Sequence, residues 1–345
     1  MAQQIHALAA TEPKGKLQAF AYDAGELGPN QIEIKVDYCG ICHSDLSMLN
    51  NDWGMTTYPF VPGHEVAGTV VAVGSQVPGL INAPGDPMGK SVGLGWYSAT
   101  CMGCTQCLSG NQNLCATAEQ TIVARHGGFA TRVRCHWAWA IPLPHGVDAS
   151  KAGPLFCGGV TVFNPIVQNA IKPTDRVGVI GIGGLGHMAL QFLNKWGCEV
   201  NAFSSNPAKR DEILKMGAHN VVDSRNSEEL KKLNGQLDFI LSTVNASLNW
   251  EAMLAVLAPK GRLHLVGVVP EPIPVAAFPL IAGQKTLSGT PLGSVTTTAK
   301  MLDFCARHNI APITETFPMS KANEAIEHLR GGKARYRIVL QNDLN

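Results

Sequence analysis

The sequence predicts an α/β protein in which a β-rich domain is combined with a doubly wound parallel sheet. The first 150 residues alternate short apolar runs with glycine, proline and asparagine, which is typical of short strands joined by turns. From about residue 155, strand patterns alternate with helical patterns, which indicates a parallel sheet. We expect the β-rich domain to comprise residues 1–155 and 292–345, with the parallel sheet, residues 156–291, inserted between its two parts.

Single segments support this division of the chain. Residues 32–37 alternate apolar and polar side chains with period two, and residues 66–73 form a β-branched run that ends at a glycine. Residues 141–144 indicate an extended exit from the domain. Near the end of the chain, residues 299–307 and 319–329 predict helices and residues 336–340 predict a last strand.

The middle of the chain has the repeating pattern of strand and helix that a parallel sheet requires. The predicted strands are residues 177–180, 199–203, 221–222, 239–241 and 263–266, and helices are predicted at residues 188–196 and 208–216.

The charge balance excludes some classes of function. The chain of 345 residues has 27 Lys and Arg against 26 Asp and Glu, a net charge of +1, so no overall field favours nucleic acid or anionic lipid. No stretch reaches the ~18 consecutive apolar residues of a membrane span. The first sixteen residues lack the basic and apolar regions of a signal peptide, so we expect a cytoplasmic protein.

A glycine-rich loop follows the first predicted strand of the parallel sheet. Gly181, Gly183 and Gly186 have the spacing G-x-G-x-x-G between a strand and a helix. In this motif the first glycine permits a tight turn, the second lets the backbone approach a pyrophosphate, and the third allows close helix–strand packing. With Gly184 and Leu185, which lead into the helix, these residues predict a dinucleotide-binding site.

The end of the next strand indicates which dinucleotide binds. NAD enzymes place an acidic residue there, whereas this chain has Ser204 and Ser205 followed by Lys209 and Arg210. Hydroxyl groups and cations can hold a 2′-phosphate, which a carboxylate would repel, so we expect NADP(H). Alternatively, the two serines only cap the next helix.

Four of the ten cysteines are clustered and predict a closed metal site. Cys101, Cys104, Cys107 and Cys115 have the close spacing of a structural Zn²⁺ site, in which four thiolates leave no open position. An iron–sulfur cluster is the main rival, but its fourth cysteine normally follows after three residues, whereas here seven residues intervene.

A second set of metal-type residues is dispersed along the chain. Cys42 and His64 lie in two short turns, and Cys157 lies at the domain border. Three protein ligands and an open position define a catalytic zinc, but spacing alone leaves open that Cys157 is a packed thiol and His64 a core histidine.

The strings YCGICHSDL, PGHE, CGGVTVF and GIGGLGH resemble the zinc-dependent medium-chain alcohol dehydrogenases, in particular the cinnamyl alcohol dehydrogenase branch and its NADPH-dependent aldehyde reductases. The resemblance extends over essentially the whole chain. It implies a GroES-like catalytic domain, a Rossmann domain, and two zinc ions per chain. The catalytic ion would be held by Cys42, His64 and Cys157 and the structural one by the four clustered cysteines.

The resemblance also implies roles for the neighbours of these ligands. Glu65 matches a carboxylate that can approach the metal, and Asp45 matches the partner that orients the zinc-bound histidine. Ser44 matches the hydroxyl that exchanges a proton with the substrate oxygen. The chain departs from the pattern at Ser47, where many relatives carry a histidine that completes the proton relay. We interpret Cys39 as structural, because a fourth thiolate would close the site to substrate.

The expected activity is an NADP-dependent alcohol dehydrogenase that reversibly reduces aldehydes. Trp53 and Trp96 lie close in sequence to the metal motifs and are candidates for the substrate pocket, which would favour aromatic or medium-chain aldehydes. Packing within the domain is the alternative for both tryptophans.

Other functions remain open at this point. One is a metal-independent NADPH reductase of enones or quinones from the same superfamily, and another is a zinc-thiolate redox sensor. For assembly we expect a homodimer formed through the apolar residues 270–283, which alternatively form a strand of the sheet.

Overall fold

The computed structural model describes residues 4–344, and the chain divides into two compact units. The first unit comprises the chain up to Val160 together with the segment from Gly293 onward, and the second comprises Thr161–Leu292. No helix in residues 4–344 combines the length and apolar character that crossing a bilayer requires.

Short strands dominate the first unit. Its strands up to residue 142 are β1 (Gln4–Ala9), β2 (Gln18–Asp23), β3 (Gln31–Ile41), β4 (Val66–Val73), β5 (Gly79–Leu80), β6 (Ala83–Pro84), β7 (Ser91–Leu94), β8 (Tyr97–Ala99), β9 (Glu119–Gln120), β10 (Arg132–His136) and β11 (Ile141–Pro142). Its helices in this part are α1 (His43–Asn50), α2 (Thr105–Leu108) and α3 (Ala149–Ala152). α4 (Gly158–Gln168) leads into the second unit.

The second unit alternates strands and helices. They are β12 (Arg176–Ile180), α5 (Gly186–Trp196), β13 (Glu199–Ser204), α6 (Arg210–Lys215), β14 (Asn220–Asp223), α7 (Ser227–Lys232), β15 (Leu237–Ser242), α8 (Trp250–Ala255), β16 (Leu257–Leu265), α9 (Ala277–Gly283) and β17 (Thr286–Gly289). The chain then returns to the first unit with α10 (Val295–His308), β18 (Thr314–Pro318), α11 (Ala322–Arg330) and β19 (Arg337–Gln341).

The main sheet of the first unit has the strand order β11-β7-β4-β3-β19-β18, and β10 also pairs with β3. All its pairs are antiparallel except β18 and β19, which run parallel because α11 connects them. Of the alternation predicted for residues 32–37, the apolar side chains Ile32, Ile34 and Val36 are buried in β3 as expected. Glu33 is also buried, because it forms ion pairs with Arg132 and Arg134. The same sheet positions Cys42, which directly follows β3.

The second unit contains a parallel sheet of six strands in the order β14-β13-β12-β15-β16-β17. Numbered from β12, this is the order 3-2-1-4-5-6 of the Rossmann fold, which confirms the predicted fold class. The strand order reverses between β12 and β15, where ligands bind such sheets beyond the carboxyl ends of the strands. Thr243, which follows β15, donates hydrogen bonds to the carbonyl oxygens of Ile180 (3.0 Å) and Gly181 (2.7 Å) there.

Residues 270–283 do not form a strand, so that sequence-based alternative is wrong. The segment ends in α9, Ala277–Gly283, which precedes the edge strand β17 in the chain and packs on β16. Phe278 and Ile281 on α9 are 77% and 73% exposed. An apolar helix face is therefore open on the surface of the second unit.

Candidate metal and cofactor sites

Four metal-type side chains that are distant in sequence meet inside the first unit. Cys42 lies at the start of α1, His64 and Glu65 lie immediately before β4, and Cys157 follows the short helical turn Gly153–Phe156. One ligand atom from each of these residues lies within 4.8 Å of the others, and all four residues are buried. The fold thus brings together the residues that the sequence leaves dispersed.

The separations within this cluster suit a tetrahedral metal ion. The Sγ atoms of Cys42 and Cys157 are 3.8 Å apart, and Nε2 of His64 lies 3.3 Å from Sγ of Cys157. Two sulfurs that each lie about 2.3 Å from a common tetrahedral zinc ion are about 3.8 Å apart. Two thiols and an imidazole are also the donor types that zinc prefers. The residues present therefore fit a zinc ion.

Asp45 fixes the orientation of this cluster. Its Oδ1 atom lies 3.0 Å from Nδ1 of His64 and also accepts a hydrogen bond from the backbone amide of Gly63 at 2.9 Å. Its Oδ2 atom accepts a hydrogen bond from the backbone amide of Cys42 at 2.9 Å. With Nδ1 held by a carboxylate, the imidazole presents Nε2 toward the thiols, as histidine ligands of metals normally do.

A buried ion pair that sequence reasoning missed lies beside the cluster. Arg337, the first residue of β19, donates a hydrogen bond to Oε1 of Glu65, while Oε2 of Glu65 has no partner in the structure. Glu65 is completely buried, and burial raises its pKa to about 7 although the Arg337 charge acts in the opposite direction. A side chain at Gly40 would collide with Oε2 of Glu65, so only glycine leaves room for the carboxylate.

The thiols of the cluster differ in their electrostatics. The hydrogen bond with Cys157 holds the pKa of Cys42 well below its usual range, and the same bond raises the pKa of Cys157. Burial acts to lower the pKa of His64, but the Asp45 carboxylate and the Cys42 thiol outweigh burial and raise it. The pocket therefore favours a thiolate at Cys42, the form that binds a metal.

Ser44, Ser47 and Cys39, which the sequence places near this cluster, have different surroundings in the structure. Ser44 is half-buried, with Oγ 3.8 Å from Sγ of Cys42. Ser47 lies one turn further along α1. Cys39 is buried, its pKa is raised by burial, and its Sγ lies 3.7 Å from the carbonyl oxygen of Gly40. The thiol of Cys39 does not belong to either metal-type group found among the described residues.

Two tryptophans form an aromatic wall beside His64. The ring of Trp96 contacts the His64 imidazole edge to face, with the centroids 5.1 Å apart, and Trp53 packs on Trp96 in the same way at 6.0 Å. Trp53 is 42% exposed, so this wall extends from the buried cluster to the surface. Tyr97 instead packs inward on Trp139.

The four clustered cysteines form a second metal-type group. Their ligand atoms lie within 4.8 Å of one another, and Sγ of Cys101 is 3.9 Å from Sγ of Cys107 and 3.6 Å from Sγ of Cys115. These sulfur separations bracket the ~3.8 Å of a tetrahedral zinc–thiolate site. Cys104 directly precedes α2 and contributes the fourth sulfur. The four-cysteine lobe thus fits a zinc ion without an open position.

The glycine loop has the geometry that each of its positions predicts. Gly181 has a φ of +88°, which favours glycine, and a Cβ at Gly186 would lie 2.0 Å from the carbonyl oxygen of Gly181. A Cβ at Gly183 would meet nothing within 4 Å, so this glycine borders open space. Gly184 and Leu185 connect Gly183 to the first residue of α5, Gly186. The loop therefore leaves room for a ligand beside its backbone.

The hydrogen bonds after β13 show which residue caps the turn that follows this strand. Asn206, rather than either serine, caps the following turn by accepting a hydrogen bond from the amide of Ala208 at 3.0 Å. Ser204 accepts a hydrogen bond from the amide of Asn206 at 3.2 Å, and Ser205 is exposed. Arg210 donates to the carbonyl oxygen of Val221. The alternative that the serines cap the helix is wrong.

Two family models match this chain. One describes the alcohol dehydrogenase GroES-like domain and matches residues 28–145, and the other describes a zinc-binding dehydrogenase and matches residues 184–307. Aldehyde reductase AdhA of Synechocystis sp. is 54% identical over 99% of this chain and 100% of its own length.

Solved structures agree with these relatives. A cinnamyl alcohol dehydrogenase of Sorghum bicolor superposes with a TM-score of 0.91 at 35% identity, covering 98% of both chains. The CAD protein of Helicobacter pylori, solved in complex with NADP(H), has a TM-score of 0.88 at 28% identity over 99% of both chains.

Fold, donor sets and relatives together define a two-unit oxidoreductase with zinc-type sites. The chain belongs to the zinc-dependent medium-chain alcohol dehydrogenase family. Its reaction class is accordingly that of an alcohol dehydrogenase or aldehyde reductase, as the sequence predicts.

Proposed function

We propose that this enzyme reduces aromatic or medium-chain aldehydes with NADPH, and oxidises the corresponding primary alcohols in reverse, at a zinc ion held by Cys42, His64 and Cys157. The observation that carries the proposal is the buried set of two thiols and one imidazole with the separations of a tetrahedral zinc site. A metal-independent reductase would not need this buried donor set.

We assign the second zinc ion to the four-cysteine lobe, where it has a structural role. Four thiolates saturate a tetrahedral ion, so no position remains for a substrate. The ion at the three-ligand site would supply a Lewis acid that polarises the substrate carbonyl.

The chain's own residues orient this site and move the proton. Asp45 holds His64 through Nδ1 and the Cys42 backbone through its amide, so two ligands depend on one carboxylate. Among residues 4–344, only Ser44 has a hydroxyl group in contact with a ligand sulfur of this cluster. We therefore assign to Ser44 the transfer of a proton to the carbonyl oxygen. Glu65 is held away from solvent by Arg337 and provides a carboxylate close to the ligands.

The second unit would bind the cofactor. In this proposal the pyrophosphate lies against the backbone of Gly183 and Gly184. Gly181 and Gly186 allow the turn to form. Leu185 directly precedes α5, so the free backbone amides at the amino end of this helix face the phosphates. NADPH would supply the hydride.

The residues after β13 would select NADPH. Ser204, Ser205 and Lys209 would bind the 2′-phosphate, and residues 202–210 include no acidic residue. The neighbouring strand β14 places Asp223 opposite Ser204. The Helicobacter pylori relative, which was solved with NADP(H), supports this choice. The first unit would then be the catalytic domain and the second unit the NADP-binding domain.

The aromatic wall of Trp53 and Trp96 supports a substrate with a large apolar group. Edge-to-face packing of Trp96 on His64 places a flat apolar surface directly beside a proposed ligand. Such a surface stabilises an aromatic ring or an alkyl chain more than the methyl group of acetaldehyde. The names of the relatives, an aldehyde reductase and cinnamyl alcohol dehydrogenases, agree with this choice.

For assembly and location we propose a cytoplasmic homodimer. The exposed apolar face of α9 offers a surface that a second copy would cover. All ten cysteines are free thiols in the structure, which suits a reducing compartment.

The cofactor assignment is tested by comparing kcat/KM for NADPH and NADH with the same aldehyde. We expect NADPH to be preferred by at least about tenfold, and Ser204→Asp to reduce this preference because its carboxylate repels the 2′-phosphate. Ser75→Asp, the same change at an exposed serine of the first unit, serves as the matched control. A preference of the unchanged enzyme for NADH would contradict the assignment.

A further inference from the structure

The loop that follows β14 lies beside the loop that follows β13, where Ser204, Ser205 and Lys209 are proposed to bind the 2′-phosphate. Ser204 ends β13 and pairs in parallel register with Asp223, which ends β14. The backbone amide of Ser224 then donates a hydrogen bond to the carbonyl oxygen of Ser204 at 3.3 Å. Because the carboxyl ends of parallel strands meet at one edge of a sheet, the residues after β14 are direct neighbours of the proposed phosphate site.

Asp223 brings a negative charge to this edge. Its position opposite Ser204 puts a carboxylate close to the place proposed for the 2′-phosphate, which it would repel. Within residues 4–344, no Lys, Arg or His side chain forms an ion pair with Asp223. A phosphate group at this edge therefore needs positive charge that offsets the carboxylate.

Arg225 is a cation at the same edge whose charge is not used elsewhere. It is exposed, and in the described part of the chain its guanidinium group has neither an ion pair nor a hydrogen bond. Arg210, by contrast, donates a hydrogen bond to the carbonyl oxygen of Val221 at 3.0 Å. Arg225 directly follows Ser224, whose amide is bonded to Ser204, so its side chain starts beside the proposed phosphate site.

A hydrogen bond also fixes the backbone from which the Arg225 side chain extends. The backbone amide of Arg225 donates to Oδ1 of Asp223 at 2.9 Å, which forms a turn closed by the aspartate side chain. This turn keeps the carboxylate and the base of the arginine side chain together. The same short segment thus holds a repulsive group and a cation that can neutralise it.

We propose that Arg225 determines cofactor specificity by binding the 2′-phosphate of NADPH and by offsetting the charge of Asp223. The inference rests on the NADPH assignment made above and extends it to a residue outside the segment after β13. A guanidinium group stays charged and can donate two parallel hydrogen bonds to a phosphate. NADH has only a hydroxyl group at that position, so Arg225 would contribute much more to NADPH binding than to NADH binding.

The test uses the full-length, zinc-loaded protein and two nucleotides that differ only in the 2′-phosphate, adenosine 2′,5′-bisphosphate and 5′-AMP. Dissociation constants are measured by isothermal titration calorimetry, so the result does not depend on turnover. We expect Arg225→Gln to weaken binding of the bisphosphate about tenfold and to leave binding of 5′-AMP within about twofold of wild type. Arg225→Lys, which keeps the charge, should recover part of the loss.

Lys232→Gln is the matched control, because it removes one positive charge from the same unit. Lys232 is exposed and ends α7, the helix that returns the chain toward the amino edge of the sheet, where β15 begins. This variant should bind both nucleotides as the wild type does.

A second pair of variants tests the offset of charge. Asp223→Asn keeps a side-chain oxygen that can accept the hydrogen bond from the Arg225 amide, so the turn stays intact, but it removes the negative charge. Arg225→Gln should therefore weaken bisphosphate binding less in the Asp223→Asn protein than in wild type. Equal losses in the two backgrounds would overturn the proposed offset.

The same titrations separate this inference from the NADPH assignment. The assignment requires that wild type bind the bisphosphate more tightly than 5′-AMP. If wild type does so and Arg225→Gln keeps the same ratio of affinities, or weakens both nucleotides equally, the role of Arg225 is overturned and the assignment stands. Equal affinity of wild type for the two nucleotides would overturn both.

Discussion

Ser44 and Ser47 lie one turn apart on α1, yet their surroundings assign them different roles. Ser44 contacts the sulfur of a proposed zinc ligand, whereas Ser47 lies where the family resemblance implies a histidine. A serine hydroxyl does not titrate near neutral pH and cannot replace the imidazole as a proton acceptor. The proton exchange proposed for Ser44 is therefore not extended through Ser47.

Ser44→Ala tests this difference at the scale of one residue. We expect kcat to fall by about 10²–10³-fold, in the range of a lost general acid, while the zinc content stays unchanged. Ser47→Ala is the matched control on the same helix and should stay within about twofold of wild type. Nearly normal turnover in Ser44→Ala would exclude this residue as the proton donor.

His264 on β16 is a buried histidine outside the catalytic cluster. Its ring contacts the hydroxyl groups of Ser288 at 2.9 Å and Thr290 at 3.1 Å, and it stacks on Phe239. Burial, together with the charge of Arg262, lowers its pKa to about 4. The folded protein therefore holds this imidazole in its neutral form.

The pH dependence of stability follows from this shift. An unfolded histidine takes up a proton near pH 6.5, whereas His264 in the folded protein resists protonation until about pH 4. Its contribution is thus complete above pH 6.5 and is lost progressively as the pH falls toward 4, on the order of 1–3 kcal/mol. His264→Asn should lower Tm at pH 7.5 but should lose less Tm than wild type between pH 7.5 and 5. An equal loss in both proteins, measured by calorimetry, would contradict the argument.

At the scale of elements, the glycine loop between β12 and α5 contains one glycine that the fold requires and another that the proposed cofactor requires. A methyl group at Gly186 would collide with the Gly181 carbonyl oxygen, while a methyl group at Gly183 meets only open space. The first position is restricted by packing within the protein, and the second is restricted only by the proposed pyrophosphate.

The pair Gly183→Ala and Gly186→Ala tests this separation. Gly183→Ala should keep the wild-type Tm and raise the KM for NADPH by about tenfold or more, because its methyl group occupies the space of the pyrophosphate. Gly186→Ala should lower Tm by several degrees, because the loop must shift to remove the clash. Unchanged KM in Gly183→Ala would show that the cofactor does not approach the loop there.

The fold was predictable where the pattern is local. Period two marks β3, and the alternation of strands and helices marks the parallel sheet of the second unit. Strands of two or three residues, such as β5, β6, β8 and β9, are too short for any periodicity. The Glu65–Arg337 pair joins residues 272 positions apart, and nothing near Arg337 in the sequence indicates a buried partner.

At the scale of the whole molecule, the exposed face of α9 predicts self-association. Phe278 and Ile281 leave a large apolar area uncovered, which single proteins rarely tolerate outside an interface. A partner copy would remove this area from water.

Phe278→Asp should therefore weaken assembly. We expect wild type to sediment at twice the chain mass of 36.7 kDa, and the variant to shift toward the monomer mass because burying an unpaired carboxylate is unfavourable. Glu271→Asp, nearby in sequence and conservative in charge, is the control. A wild-type protein that sediments as a monomer at micromolar concentration would refute the proposed dimer.

The proposed catalysis depends on an open zinc site built by three residues. Metal analysis of Cys157→Ser, together with its aldehyde reduction with NADPH, tests this claim most directly, with Cys39→Ser as a second buried-cysteine change. We predict two zinc ions per chain in wild type and Cys39→Ser, but about one zinc ion and no measurable turnover in Cys157→Ser. Full turnover by Cys157→Ser, or a wild-type protein with a single zinc ion bound only in the four-cysteine lobe, would contradict the account.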